Sequence, residues 1–246
     1  MLIESNRITA QDRRQWDELL EIDMINAESD GFRKREALTL DIIKKFIDKS
    51  GPYYVSVSWG KDSVVLADMF YRLKAETKYI YIRNLAREPE GNMAVREGFF
   101  RTHIINYKEF CYDYSNADET YFDRNGNPKK WQHILEDLQK NYGCHVTGIR
   151  YDESAKRRRR FLFMGIETVN SFAPFRYFTC QDIFAYLYKY NLPVHPNYAM
   201  LGGGRWDKYR IRVAAIGNKE GDGMGRTEWE REYYPDILAR INKEKR

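Results

Sequence analysis

Ser58-Trp59-Gly60-Lys61-Asp62-Ser63 is the segment whose residue types and spacing best suit chemistry. It stands between an aromatic and β-branched run, Tyr53-Tyr54-Val55-Ser56-Val57, and a helical run from Val64 to Leu73. A loop that leaves a strand and opens a helix turns backbone N–H groups and the positive end of the helix dipole toward an anion. Gly60 lets the backbone approach phosphate oxygens with no Cβ in the way, Ser58 and Ser63 offer hydroxyl donors, and Lys61 brings a mobile positive charge. Asp62 is the odd member beside an anion: it either orients the amides of the loop or helps hold a Mg²⁺ ion on the phosphates. No glycine stands at the distance before Gly60-Lys61 that a Walker A loop requires. The plainer alternative is an ordinary polar helix cap.

Two further segments accompany the loop. Gly148-Ile149-Arg150-Tyr151-Asp152-Glu153-Ser154-Ala155-Lys156-Arg157 follows a strand-like stretch. Phe172-Ala173-Pro174-Phe175 leads through Asp182-Ile183-Phe184-Ala185-Tyr186-Leu187 to Leu192-Pro193-Val194-His195-Pro196-Asn197-Tyr198. In order and spacing, from about Tyr53 to Gly202, the three resemble the PP-loop ATP pyrophosphatases and phosphoadenosine phosphosulfate (PAPS) reductases, whose loop reads Ser-Gly-Gly-x-Asp-Ser. The resemblance implies an adenine nucleotide alpha hydrolase-like α/β fold that binds ATP or PAPS with Mg²⁺. It implies a nucleotide cradle of Ser58, Trp59, Gly60, Lys61, Asp62, Ser63, Glu90, Gly148 and Ser154. Lys61, Asp62, Arg150 and Arg157 would then be catalytic, the two arginines as guanidinium forks on phosphate or sulfate oxygens. Trp59 departs from the family pattern, standing where the first Gly belongs; it either points outward or changes how phosphate is held.

The run Lys156-Arg157-Arg158-Arg159-Arg160 exceeds what that motif requires. Charge runs are commonly solvated faces, but five cations beside a phosphate loop also suit a polyanion. Lys156, Arg158, Arg159 and Arg160 are therefore candidate nucleic-acid contacts. The net charge of +5 fits an anionic ligand without choosing between nucleotide and nucleic acid. His195 is a candidate general base or a turn-setting residue between prolines. Cys111, Cys144 and Cys180 are widely spaced and contain no Cys-x-x-Cys pair, so the plain reading is buried free thiols rather than a disulfide framework or zinc site. A reactive thiol or a three-cysteine iron–sulfur site is the less favoured alternative.

The elements that must position these residues alternate. Strands are expected at Tyr53–Val57, Lys78–Ile82, Thr102–Asn106 and Cys144–Ile149, with helices between them, which implies right-handed crossovers and a parallel twisted sheet with helices on both faces. Thr9-x-x-Asp12 and Thr179-x-x-Asp182 read as capping boxes, and a helix is expected from about Arg35 and another from Trp131 to Lys140. Asn125-Gly126-Asn127-Pro128 marks a turn in an excursion from about Tyr112 to Lys130. The chain divides into an N-terminal helical segment (1–50), a nucleotide-binding α/β domain (51–202) and a Gly-rich, then helical tail (203–246). Gly221-Asp222-Gly223-Met224-Gly225-Arg226 is flexible by composition. No stretch is apolar enough to span a bilayer and Met1–Arg7 lacks the order of a secretory signal, so a cytoplasmic protein is expected.

Two reactions use such a cradle. In one, an acceptor oxygen attacks the α-phosphorus of ATP, pyrophosphate leaves, and sulfur later displaces AMP, as the resemblance to the ATP pyrophosphatase component of DNA phosphorothioation systems implies. A nucleic acid acceptor and a sulfur-donor protein would be the partners, and a homo-oligomer is compatible. In the other, a thiolate attacks the sulfur of PAPS, but residues 201–246 contain no cysteine where family reductases carry their nucleophile. A nucleotide-binding adaptor without turnover is a third reading, motivated by Trp59.

Overall fold

The computed structural model describes residues 1–83, 88–111, 131–217 and 226–244. Helix α1 (Ala10–Glu28) opens with the expected capping box, Thr9 Oγ1 accepting from Asp12 N and the Asp12 carboxylate accepting from Thr9 N. Helix α2 (Asp30–Lys49) follows after a single residue, since Ser29 ends α1 and its Oγ accepts from Phe32 N at the start of α2. That cap starts α2 five residues before the position expected from its apolar periodicity.

Five strands then alternate with helices: β1 (Tyr53–Val57), α3 (Lys61–Leu73), β2 (Lys78–Arg83), α4 (Gly91–Phe100), β3 (Asn106–Cys111), α5 (Trp131–Tyr142), β4 (Cys144–Val146), α6 (Ala155–Met164), β5 (Ser171–Phe172) and α7 (Cys180–Lys189). Two 3₁₀ turns, at Pro196–Ala199 and Gly202–Gly204, and helices α8 (Arg226–Tyr233) and α9 (Pro235–Glu244) complete the described chain. All pairings are parallel, in the order β3-β2-β1-β4-β5. The chain runs outward from β1 to β3 and then returns to pair β4 on the other side of β1. The crevice for a ligand in such a sheet lies at that switch point, beyond the carboxyl ends of β1 and β4.

Alternation along the strands divides the core. Val55, Val57, Tyr79 and Tyr81 face the larger core, which includes residues of α1, α2, α3, α4 and α7 and extends to Trp229, Ile237 and Ile241 of α8 and α9. Tyr54, Ile80 and Ile82 face the opposite side, where Ile134 and Leu138 of α5 cover them. Helices therefore occupy both faces, as expected. Among the described residues no helix is long and apolar enough to cross a membrane.

Two strand expectations are corrected. The third strand is Asn106–Cys111 rather than Thr102–Asn106, with Asn106 opposite Lys78 at the start of the pairing. Ile104 is 90% exposed, and His103 is tied to the end of α4 by stacking on Phe99 and to α3 by a 2.9 Å bond from Nε2 to Asp68 Oδ1. The apolar pair Ile104-Ile105 thus belongs to a connection, while the more polar Asn106-Tyr107-Lys108-Glu109 forms an edge strand. The fourth strand ends at Val146, because Thr147 to Arg150 turn away to build the site. The Asn125–Pro128 turn and Gly221–Gly225 lie outside the described residues.

Asp12 joins the N-terminal helices to the end of the chain. Fully buried, it caps α1 and accepts from the amides of Leu201 and Gly202 at 3.0 and 2.8 Å and from the Tyr233 hydroxyl. Asp12→Ala leaves the Leu201 amide and the Tyr233 hydroxyl without their acceptor, while the Gly202 amide keeps its bond to the Tyr233 hydroxyl, and is expected to cost about 3 kcal/mol, since each orphaned buried donor costs ~1–3 kcal/mol and partial relaxation offsets part of the total. Urea denaturation reads this as a lower midpoint; an unchanged midpoint would show that these bonds do not hold the ends together.

Candidate functional site

The first intrahelical bond of α3 runs from Val64 N to Gly60 O, so the amides of Lys61, Asp62 and Ser63 precede the ladder. Lys61 N donates to the Tyr198 hydroxyl at 3.1 Å, and a Cβ on Gly60 would stand 3.3 Å from that same oxygen. The glycine thus permits the close packing of loop and tyrosine. Ser63 Oγ donates to Gly60 O and accepts from Ser58 N, closing the loop on itself.

Lys61 and Arg150 are both almost wholly buried, each with its side chain 4% exposed. One carboxylate lies between them: Asp62 Oδ2 is 3.0 Å from Lys61 Nζ, and Asp62 Oδ1 bonds Arg150 Nη1. Asp152 Oδ1 holds Arg150 Nε at 2.9 Å, and Asp152 Oδ2 accepts from the Cys180 amide at the start of α7. Lys61 Nζ also lies 5.1 Å from the centre of the Tyr198 ring. Gly148 makes the juxtaposition possible, since a Cβ there would come within 3.0 Å of Asp62 O. Asp62 thus orients both cations, one from the loop and one from the turn after β4. Both its oxygens are engaged in this arrangement, and among the described residues no group of three or more His, Cys, Asp or Glu side chains is placed to hold a metal ion.

These groups line a cavity of about 550 Å³ at the switch point. Ser58, Gly60, Lys61, Asp62, Ser63, Arg150, Ser154 and Arg158 of the expected set are on its wall. Gly148, Arg157 and Arg160 are not; they line an adjoining cavity on the other side of the loop. Lys156 and Arg159 face solvent. Glu90 stands before α4 with its side chain 63% exposed, paired to Arg7 at 3.0 Å, and lines neither of these two cavities.

Trp59 corrects the expectation of an outward side chain, for it points neither outward nor at either cavity. Its backbone is left-handed, with φ of 58°, the region that favours the glycine of the family signature. The indole is fully buried among Tyr81, Phe99, Phe100 and Tyr107, with ring centroids 5.8 to 6.5 Å away. A strain of roughly 1–2 kcal/mol is set against burial of a large aromatic side chain worth more than that.

Sequence reasoning missed Tyr198, Asp152 and the stretch carrying Asp207, Tyr209, Arg210, Arg212 and Val213, all of which line the first cavity. That stretch is anchored by a buried ion pair, Lys208 Nζ to Asp23 Oδ2 at 2.6 Å on α1, and by Arg226, which donates to Arg212 O and Ala214 O. No spacing marks it; its basic residues recur at 205, 208, 210 and 212, the one signal available.

Cys180 also lines the first cavity. Burial pushes its thiol above the ordinary range, outweighing the nearby charges of Lys61 and Arg150, and Sγ donates to Tyr209 O at 3.4 Å. Cys144 pairs with Tyr53 at the far end of β1, so these two thiols do not share a site. His195 lines neither cavity: it is buried, its Nδ1 accepts from Asn197 N, and burial pushes its pKa down to about 3. A neutral, turn-setting histidine describes it.

The fold and the loop after β1 are those of an α/β protein of the PP-loop kind. The chain belongs to the phosphoadenosine phosphosulfate reductase domain family, whose sequence profile matches residues 52–201, more than half its length. Among solved structures, a PAPS reductase from Candida auris in a phosphate complex is similar, with a TM-score of 0.52 and 11% identity over 73% of this chain and 89% of that one. An NMN synthetase from Francisella tularensis (TM-score 0.49, 9% identity, 86% and 93% covered) is also similar. So is a U34-tRNA thiolase from Methanococcus maripaludis with its 4Fe-4S cluster (TM-score 0.40, 15% identity, 76% and 71% covered). None of the curated proteins matches the chain.

The depressed pKa of His195 has a measurable sign. Unfolded, the imidazole titrates near about 6.5, so below that pH the unfolded chain takes up a proton that the fold refuses. Its contribution is complete above that pH and is lost as pH falls toward the folded value of about 3. The slope is about 1.4 kcal/mol per pH unit. His195→Asn is expected to destabilise at pH 7 and to differ progressively less from wild type down to pH 4; a gap independent of pH would contradict a buried neutral histidine.

Proposed function

We propose that this protein is an ATP pyrophosphatase of sulfur transfer, adenylating an oxygen of a nucleic acid. The carrying observation is the pair of buried cations, Lys61 and Arg150, held by Asp62 beside the start of α3. The acceptor oxygen attacks the α-phosphorus of ATP, the bond to the bridging oxygen breaks, and pyrophosphate leaves with that electron pair. Lys61, Arg150 and the amides at the start of α3 face the place where the departing charge grows, and fixed donors stabilise such charge without reorganising. The outer sulfur of a persulfide on a sulfur-donor protein then attacks the activated centre and displaces AMP, and a second thiol of that donor cleaves the resulting disulfide, which leaves the thiolated acceptor and a disulfide on the donor. The basic side chains of α6 and of residues 207–213 beside the cavity support a polyanionic acceptor. Membership of the phosphoadenosine phosphosulfate reductase domain family supports the nucleotide and sulfur parts of this reading.

Cys180 on the cavity wall favours a second reading, PAPS reduction, in which its thiolate attacks the sulfur of PAPS. Its raised pKa works against this, because the thiolate is the nucleophile. A binding-only adaptor would show nucleotide affinity without products.

Incubation with ATP plus a DNA or RNA oligonucleotide, and separately with PAPS plus a reduced dithiol, distinguishes these readings. Pyrophosphate release dependent on the oligonucleotide, unchanged in Cys180→Ser and lowered about 100-fold or more in Lys61→Ala, is expected on the scale of a lost charge-stabilising donor. Sulfite from PAPS that disappears in Cys180→Ser would establish the reductase instead, and tight ATP binding with no product would establish the adaptor.

A further inference from the structure

The cations of Lys156–Arg160 do not form one patch. The helical period of α6 turns Arg158 to the first cavity, Arg157 and Arg160 to the adjoining one, and Lys156 and Arg159 to solvent. The adjoining cavity measures about 480 Å³ and shares Ser58, Asp62, Ser63 and Glu153 with the first, so the phosphate loop is a partition between two compartments.

The second compartment has its own polar lining. Arg160 Nη2 donates to Ser171 Oγ at 3.1 Å and Nη1 to Gly165 O at 3.5 Å, and among the described residues no carboxylate pairs with its guanidinium. Arg157 has a single long pairing there, 3.8 Å to Glu153, which Arg212 also approaches. Asp62, on the shared wall, is already engaged by Lys61 and Arg150. Thr147 and Ser171 line the same cavity as the two arginines. Burial and the neighbouring Arg157 hold Arg160 below its ordinary pKa, and burial with Arg160 pushes His145 down to about 4, so the imidazole adds hydrogen-bonding capacity without charge. Two under-compensated guanidinium groups among hydroxyls match a tetrahedral oxyanion.

We propose that this second compartment holds a phosphate of the acceptor, which makes the acceptor a polynucleotide whose backbone lies across the loop from the nucleotide. The inference rests on the adenylation reading above and assigns its second substrate a place. Arg157 and Arg160 grip the backbone phosphate, while Lys61 and Arg150 serve the nucleotide on the other side of Asp62.

The test is fluorescence anisotropy with a labelled ten-nucleotide single-stranded DNA, alongside calorimetric titration with ATP. Arg160→Ala is expected to weaken the oligonucleotide about tenfold and to reduce the salt dependence of its binding by about one ion, with ATP affinity within about twofold of wild type. Arg157→Ala serves in its place if Arg160→Ala does not fold. Oligonucleotide binding unchanged in the variant, loss of ATP affinity to the same degree, or a wild-type protein that binds no oligonucleotide would each overturn the proposal. Selective loss of oligonucleotide binding in a protein that releases no pyrophosphate would sustain the site and overturn only the adenylation reading.

Discussion

Two cations buried side by side are the constraint on which the site depends. An ammonium and a guanidinium removed from water cost several kcal/mol each unless they are paired, and repel one another besides. Asp62 answers both demands by standing between Lys61 and Arg150, and Asp152 completes the arginine's partners. The carboxylates fix the two cations in place in the folded protein, and Arg158, Arg210 and Arg212 on the same wall leave the cavity lined by more cations than carboxylates.

The surrounding structure can be read as what this arrangement requires. Lys61 comes from the helix after β1 and Arg150 from the turn after β4, and only the reversal of strand order between them puts both at one crevice. Gly148 lets the two connections touch at Asp62 O, and the Tyr198 hydroxyl receives the Lys61 amide. Behind the loop, the aromatic box around Trp59 fixes a left-handed backbone that an unburied side chain would not stabilise. Below it, Asp68 of α3 accepts from His103 and from Tyr186 of α7, joining the helix that carries Lys61 to the helix whose first amide binds Asp152.

Much of this was legible in the sequence because it is local. A strand, a polar loop and a helix declare themselves in twenty residues, and the boxes at Thr9 and Thr179 are decided within four. The third strand was misplaced because an edge strand tolerates polar residues, while the apolar Ile104-Ile105 that mimics a strand lies in a connection. Trp59 was visible as a departure, but its direction depends on α4 and β3, which no local pattern links to it. The contributions of Tyr198 and residues 207–213 depend on long-range contacts, the last through the Lys208–Asp23 pair across 185 residues. The separation of Arg157 from Arg158 was derivable in principle from the helical period, but not the existence of two cavities for them to face.

The most direct measurement is a crystal structure with a non-hydrolysable ATP analogue. The account predicts its phosphates in the cavity at the carboxyl ends of β1 and β4, within hydrogen-bonding distance of Lys61, Arg150 and the amides at the start of α3, with Asp62 still between the two cations. A nucleotide bound elsewhere, or one that leaves Lys61 and Arg150 engaged only with carboxylates, would contradict it.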